Sequence, residues 1–162
     1  MKLLVICLGN ICRSPMGEGL LRARLATSPL AGRVEVDSAG TSGWHRGQAP
    51  DPRAIACAGQ HGVDISGLRA RPLQARDFQY FDWLLCADRH NLAEARKLAP
   101  PGHAEKAALW LPWAGVAGAR EVPDPYHGDA AGFEQCWAML DAAAQATVRH
   151  LAEPVQSGII AP

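Results

Sequence analysis

The sequence predicts an α/β domain with a mostly parallel sheet and right-handed crossovers. Short runs that are apolar at almost every residue alternate with longer segments of helical periodicity, the pattern of buried strands joined by helices. Two helix starts carry a capping residue followed by proline, Ser14-Pro15 and Asp51-Pro52. No internal repeat, low-complexity stretch or interdomain linker interrupts the pattern. With 162 residues, 48% hydrophobic and 20% charged, the chain has the length and composition of one globular domain that buries its own core. That domain is expected over residues 1–153, with a C-terminal tail over 154–162 that has little to bury.

Lys2–Cys7 reads as the first strand, apolar from Leu3 onward and therefore covered on both faces. Ser14 is the expected N-cap of the first helix, with Pro15 at its first position and Met16, Leu20 and Ala23 on one apolar face flanked by Leu21 and Leu25. Arg33–Ser38 reads as the second strand, followed by the glycine-rich loop 39–44. Asp51-Pro52 opens the second helix and Gly62 stops it. Phe81–Cys86 is the third strand, and Asp88 begins a helix that ends before Pro100-Pro101. Ala107–Leu111 is the weakest strand pattern and is expected to be the fourth. From Asp129, the residues Phe133, Trp137, Leu140, Ala144, Val148 and Leu151 recur at helical spacing. Ligands of such folds bind beyond the carboxyl ends of the strands, so the loops after Cys7, Ser38 and Cys86 should share one rim.

Sixteen basic residues balance sixteen acidic ones, which gives no reason to expect nucleic-acid or anionic-membrane partners. No apolar run is long enough to span a bilayer, and the first residues lack a secretory profile, so a cytoplasmic location is expected. The five cysteines at 7, 12, 57, 86 and 136 are odd in number and scattered, unlike a disulfide framework. No paired spacing suggests a zinc site, and no metal or cofactor is expected. Cys57, Cys86 and Cys136 sit among apolar neighbours and read as small buried hydrophobes.

The chemistry concentrates in Cys7-Leu8-Gly9-Asn10-Ile11-Cys12-Arg13-Ser14. A loop between a strand and a helix N-terminus can turn the amides of Leu8, Gly9, Asn10, Ile11, Cys12 and Arg13 inward, and the helix adds positive potential at its centre. Gly9 is suited to positive φ, and Asn10 tolerates the left-handed region. Arg13 can hold two phosphate oxygens at once. A thiol at the head of such a loop is favoured as thiolate, a nucleophile aimed at the phosphorus of a bound ester. Ser14 can donate a hydrogen bond to that sulfur. Ester cleavage also needs an acid outside the loop, and Asp124, stiffened by prolines on both sides, is the best candidate.

These residues resemble the low-molecular-weight protein tyrosine phosphatases, and the likeness looks closest to bacterial members. The nucleophile loop with Pro15 and the segment Asp124-Pro125-Tyr126 carry the resemblance. It extends through Val36 to Trp44, Asp51-Pro52-Arg53, His61-Gly62, Phe81-Asp82 and Asp88 to Asn91, nearly the whole chain. The resemblance implies a three-layer α/β/α, flavodoxin-like fold around a four-stranded parallel sheet. It implies a phosphocysteine at Cys7, phosphate held by Arg13 and the loop amides, and Asp124 as acid and then base. Asn10, Ser14, Ser38 and Asp88 are implied as loop supports. Trp44 and Tyr126 are implied as cleft walls, with Leu8 and Ile11 on the floor and rim. A phosphotyrosine-containing protein is the implied substrate. The enzyme is expected to be a monomer or to self-associate weakly.

The pattern departs from the family in places. Tyr126 is followed by His127 where many members have a second tyrosine, and a loop histidine is expected to be solvated. Gly67 replaces a histidine common in relatives, which takes one supporting hydrogen bond from the loop network. Gly17 replaces a common alanine, while Glu18 keeps the family's acidic position. Cys12 is either a reversible disulfide partner of Cys7 during oxidation or a packed thiol that shapes the loop. Arsenate reductase, built on a similar fold, needs a relay of further cysteines near the third strand, where only Cys86 stands. A phosphoprotein-binding module without turnover would not need Cys7, Arg13 and Asp124 together.

Overall fold

The computed structural model of the chain describes residues 1–153, so the expected tail over 154–162 lies outside the described residues. Four strands, β1 (Lys2–Cys7), β2 (Glu35–Gly40), β3 (Trp83–Cys86) and β4 (Ala107–Leu109), form one sheet in the order β2-β1-β3-β4. Every pairing is parallel. Strand order reverses between β1 and β3, so the end of β1 opens onto the crevice where doubly wound sheets bind ligands.

Six α-helices are described: α1 (Arg13–Ala26), α2 (Pro52–Gln60), α3 (Asp77–Tyr80), α4 (Arg89–Leu98), α5 (Trp110–Ala114) and α6 (Ala130–Ala152). The strand residues sort themselves by alternation. Leu3, Val5 and Cys7 belong to a core shared with α1, α5 and α6, whereas Leu4 and Ile6 pack with Phe78, Phe81 and Ala95 on the other face. Both faces of the sheet are therefore covered, which explains why β1 is apolar throughout rather than alternating.

Local capping placed three helices as expected. Asp51 accepts from the Arg53 amide, Asp88 from Asn91 and Asp129 from Gly132, all through their carboxylates. The first helix differs. Its N-cap is Cys12 and it begins at Arg13, because the Ser14 hydroxyl is spent on Cys7 rather than on a free amide. The second strand runs two residues later than expected, from Glu35, since its limits follow its pairing with β1, where Cys7 meets Gly40. The third strand is shorter than Phe81–Cys86, because α3 precedes it. The fourth ends at Leu109, where Trp110 starts α5 instead of extending the strand.

Gly17 has a specific reason in this packing. A Cβ there would lie 2.7 Å from Cζ3 of Trp110. That ring is fully buried and pinned by a hydrogen bond from Nε1 to the Thr147 hydroxyl at 2.8 Å. The indole fills the space an alanine methyl would need, so α1 approaches the sheet over a glycine. Overpacking in Gly17→Ala costs about 1–3 kcal/mol against a gain in helix propensity of about 1 kcal/mol, so a net loss of stability of up to about 2 kcal/mol is expected. Urea denaturation of the variant checks this.

Candidate active site

The loop after β1 turns sharply at Asn10, whose φ of 56° is the one positive value among the described non-glycine residues. Gly9 does not adopt positive φ. It makes room instead, since a Cβ there would sit 3.0 Å from Cδ2 of His45. Gly40 at the end of β2 has the same function more acutely: an added Cβ would lie 2.7 Å from the Leu8 carbonyl oxygen. The loop thus rests its backbone directly on β2.

Asn10 is held from three sides. Its Nδ2 donates to Ser14 Oγ at 2.7 Å and Ser38 Oγ at 2.9 Å, and its Oδ1 accepts from the Arg71 amide at 3.0 Å. Ser14 Oγ lies 2.9 Å from Cys7 Sγ. Because Ser14 already accepts from Asn10, its own hydrogen is free to point at the sulfur. Ser38 passes the chain on, donating to Glu18 Oε1 at 2.7 Å. Arg22, one turn along α1, pairs with Glu18 Oε2 at 2.9 Å and also donates to the Val36 carbonyl. Gly67, in contrast, is exposed with open space around it, and supplies no side chain to this network.

Among the described residues, none of the amides from Leu8 to Arg13 donates to a protein acceptor, leaving a cluster of N–H groups for an anion. Arg13 is buried beside them. Its Nη1 donates to Asp88 Oδ2 at 2.6 Å and to the Val122 carbonyl at 2.9 Å, while Nη2 stands 3.7 Å from Asp124 Oδ2. Burial works against the guanidinium charge, but Cys7, Asp88 and Asp124 outweigh it and hold Arg13 above its ordinary value. The Asp124 carboxylate is more exposed, and its Oδ1 accepts from the Tyr126 amide at 3.1 Å.

These residues surround a cleft of about 220 Å³, smaller than the ~300–1,000 Å³ of sites for drug-sized ligands and suited to a single ring with its phosphate. Leu8, Ile11, Trp44 and Tyr126 line it, Trp44 being highly exposed at 76%. Two further side chains line it. His45, which sequence reasoning had not placed there, reaches it from the loop after β2, and His127, exposed as expected of a solvated loop histidine, packs edge-on against Tyr126. Arg53 is a second omission. From the start of α2 it donates to the Tyr126 carbonyl at 2.8 Å and the Gly128 carbonyl at 3.3 Å, and its guanidinium lies over the rings of Tyr126 and Phe133. Its only signal in the sequence is its place in Asp51-Pro52-Arg53.

All five cysteines are free and buried. Burial above all, then the charges of Asp51, Cys7 and Asp124, pushes the Cys12 thiol upward. Burial likewise pushes Cys86 and Cys136 to about 12. Cys57 is not simply a packed hydrophobe, because its sulfur sits 3.4 Å from Glu134 Oε1.

A buried cysteine and arginine at the two ends of an anion-binding loop, on a doubly wound sheet, define a phosphate-ester phosphatase of the cysteine type. The sequence model of the family "Low molecular weight phosphotyrosine protein phosphatase" matches residues 2–157, and the chain belongs to that family. The chain is 40% identical to a low molecular weight protein-tyrosine-phosphatase of Streptomyces coelicolor, with 93% of each covered. Among solved structures it resembles a protein tyrosine phosphatase from Entamoeba histolytica, at TM-score 0.88 and 32% identity over 93% of this chain and 96% of that one. It also resembles Vibrio vulnificus Wzb in complex with benzylphosphonate, at TM-score 0.81 and 29% identity over 92% and 97%. The enzyme is accordingly a phosphotyrosine phosphatase of the hydrolase class.

The buried Glu18 carboxyl gives the site a pH signature. Burial raises it above the usual carboxylate range, against the Ser38 hydrogen bond and the Arg22 charge. The native state then holds this proton more tightly than the unfolded chain, so Glu18 costs stability as pH rises from ~4 towards neutrality. Glu18→Gln keeps an acceptor for Ser38 and removes that cost. Its urea midpoint is expected to gain on the parent's steadily as pH rises, a trend read from denaturation at several pH values.

Proposed function

We propose that the enzyme hydrolyses protein phosphotyrosine in two displacements at Cys7. The observation that carries this is the placement of Cys7 Sγ, Ser14 Oγ, the Arg13 fork and Asp124 around one small anion-ready cleft. In the first step the Cys7 thiolate attacks phosphorus and the bond to the tyrosyl oxygen breaks. Asp124 protonates that oxygen as it leaves. In the second step Asp124 takes a proton from water, the water oxygen attacks the phosphocysteine, and inorganic phosphate departs as the thiolate re-forms. Arg13 and the loop amides bear the equatorial charge in both steps, and the Ser14 hydroxyl stabilises the departing thiolate. Trp44 and Tyr126 flank the substrate ring, which a phosphoserine is too short to reach between them. The benzylphosphonate held by the Vibrio relative, a ring joined to a phosphonate, supports an aryl ligand here.

Arsenate reduction is disfavoured because Cys86, the cysteine near the third strand, is sealed in the sheet core with no exposure. Cys12 fits the packed-thiol reading in the resting enzyme. It remains the candidate to resolve a Cys7 sulfenic acid formed by peroxide, with water leaving as the disulfide forms. The same reading places the enzyme in the cytoplasm as a monomer or weakly associating species, in keeping with its free cysteines.

Cys7→Ser is expected to abolish hydrolysis of phosphotyrosine peptides while retaining their binding, and Asp124→Ala to lower kcat by ~10²–10⁴-fold. Stopped-flow kinetics and calorimetric titration read the two effects. Turnover by Cys7→Ser at the parent rate would overturn the mechanism. Arg53 is read as a positioning residue for the Asp124 segment. Arg53→Ala should lower kcat by up to ~100-fold with little change in Tm, and Arg53→Lys should not restore it, because a single ammonium cannot span both carbonyls. An unchanged kcat in Arg53→Ala refutes that positioning.

A further inference from the structure

Away from the cleft, three unlike donors converge where α2 meets α6. Cys57 lies in the last turns of α2 and His61 caps that helix, four residues on, so both project from one face. Glu134 rises to meet them from the early turns of α6. The ligand atoms of the three all lie within 4.8 Å of one another. Glu134 bridges the pair, with Oε1 3.4 Å from Cys57 Sγ and Oε2 2.8 Å from His61 Nε2.

We propose that Cys57, His61 and Glu134 form a surface site for a divalent transition metal of the zinc type. The spacings fit such an ion. Tetrahedral bonds of ~2.3 Å to sulfur and ~2.0–2.1 Å to nitrogen or oxygen put S···O near ~3.5 Å and N···O near ~3.3 Å. The 3.4 Å between Cys57 Sγ and Oε1 already matches for that oxygen. His61 Nε2 meets the other oxygen, Oε2, so the exposed glutamate has to turn, or ligate through both oxygens, and the three ligand atoms, now within 4.8 Å of one another, draw in to ~3.5 Å around the ion.

The donor set is selective. A thiolate with an imidazole and one carboxylate favours zinc, cobalt or copper over magnesium and calcium, which take oxygen ligands. On binding, the Cys57 thiol releases its proton to solvent, and thiolate and carboxylate together then balance the ion's charge.

Two features hold the site ready. The His61 ring stacks on Trp137, with centroids 4.9 Å apart and planes at 13°, so its plane is set before an ion arrives. Cys57 is buried against α6, with its sulfur near the Phe133 carbonyl. His61 and Glu134 are partly exposed, which leaves an entry path and a fourth position for water. The bound ion would staple the end of α2 to α6.

The test uses the full chain carrying Cys7→Ser and Cys12→Ser, so that no thiol of the catalytic loop competes. Titration with Co²⁺ under anaerobic conditions should produce thiolate-to-cobalt charge transfer in the near ultraviolet, with tetrahedral ligand-field bands, saturating at one ion and bleached by Zn²⁺. Adding Cys57→Ser should abolish the charge-transfer band. Adding His61→Ala should weaken Co²⁺ binding by more than ~100-fold, since even outer partners of a metal ligand are worth 10–100-fold. Zn²⁺ should raise the Tm of the parent double variant and not of the His61→Ala form. His61 is exposed, so this arm stands even if Cys57→Ser fails to fold. Absence of the band, its survival in Cys57→Ser, or equal Zn²⁺ stabilisation with and without His61 would overturn the site and leave a hydrogen-bonded bridge between the two helices.

Discussion

The amide side chain of Asn10 ties the catalytic loop to everything around it. Its backbone occupies the left-handed region, which costs an ordinary residue ~1–2 kcal/mol. Asparagine tolerates that conformation, and here its side chain uses both donors and its acceptor at once. One donor goes to Ser14 in α1, the other to Ser38 in β2, and the acceptor takes the Arg71 amide. The reversal it enforces aims the loop amides inward. Without it, the helix N-terminus, the cysteine and the arginine would have no common centre.

Around that turn the protein sets charges whose balance serves a dianionic ligand. Arg13 is buried, so its field is weakly screened, and its partners are arranged unequally. Asp88 and the Val122 carbonyl grip one nitrogen closely, while Asp124 stands further off. A phosphate can therefore take the free part of the guanidinium without breaking the grip that orients it. Behind the loop, Glu18 and Arg22 form an ion pair that links α1 with β2 through Ser38 and Val36. The cleft is rigid at its back and open at its rim, where Trp44, His127 and Tyr126 stand in solvent.

The sequence disclosed what depends on near neighbours. The capped starts of α2, α4 and α6 were legible because each cap acts within three residues, and β1 because burial on both faces leaves an unbroken apolar run. The chemistry of Cys7, Arg13 and Asp124 was legible because few residue combinations can do it. What depends on approach in space was not. The limits of β2 follow from its register with β1. The run Ala107–Leu111 has no internal sign that Trp110 turns away to seat its indole over Gly17. The α3 helix is one turn long, too short to show a period. His45 and Arg53 reach the site only because the loop after β2 and the start of α2 fold back over it. Cys57 read as a packed hydrophobe because the glutamate that meets it and His61 comes from a helix far along the chain.

Asp88 illustrates how tightly such a small enzyme is written. One carboxylate oxygen closes the first turn of α4 and the other grips Arg13. A single side chain is thus both a joint in the scaffold and part of the chemical apparatus. Selection for activity and selection for folding act on the same atoms there. A lineage drifting towards another chemistry could exchange the rim residues freely, whereas position 88 would have to change in step with α4 and Arg13 together. The rim is where new specificities can arise, and Asp88 is where this architecture resists being rewritten.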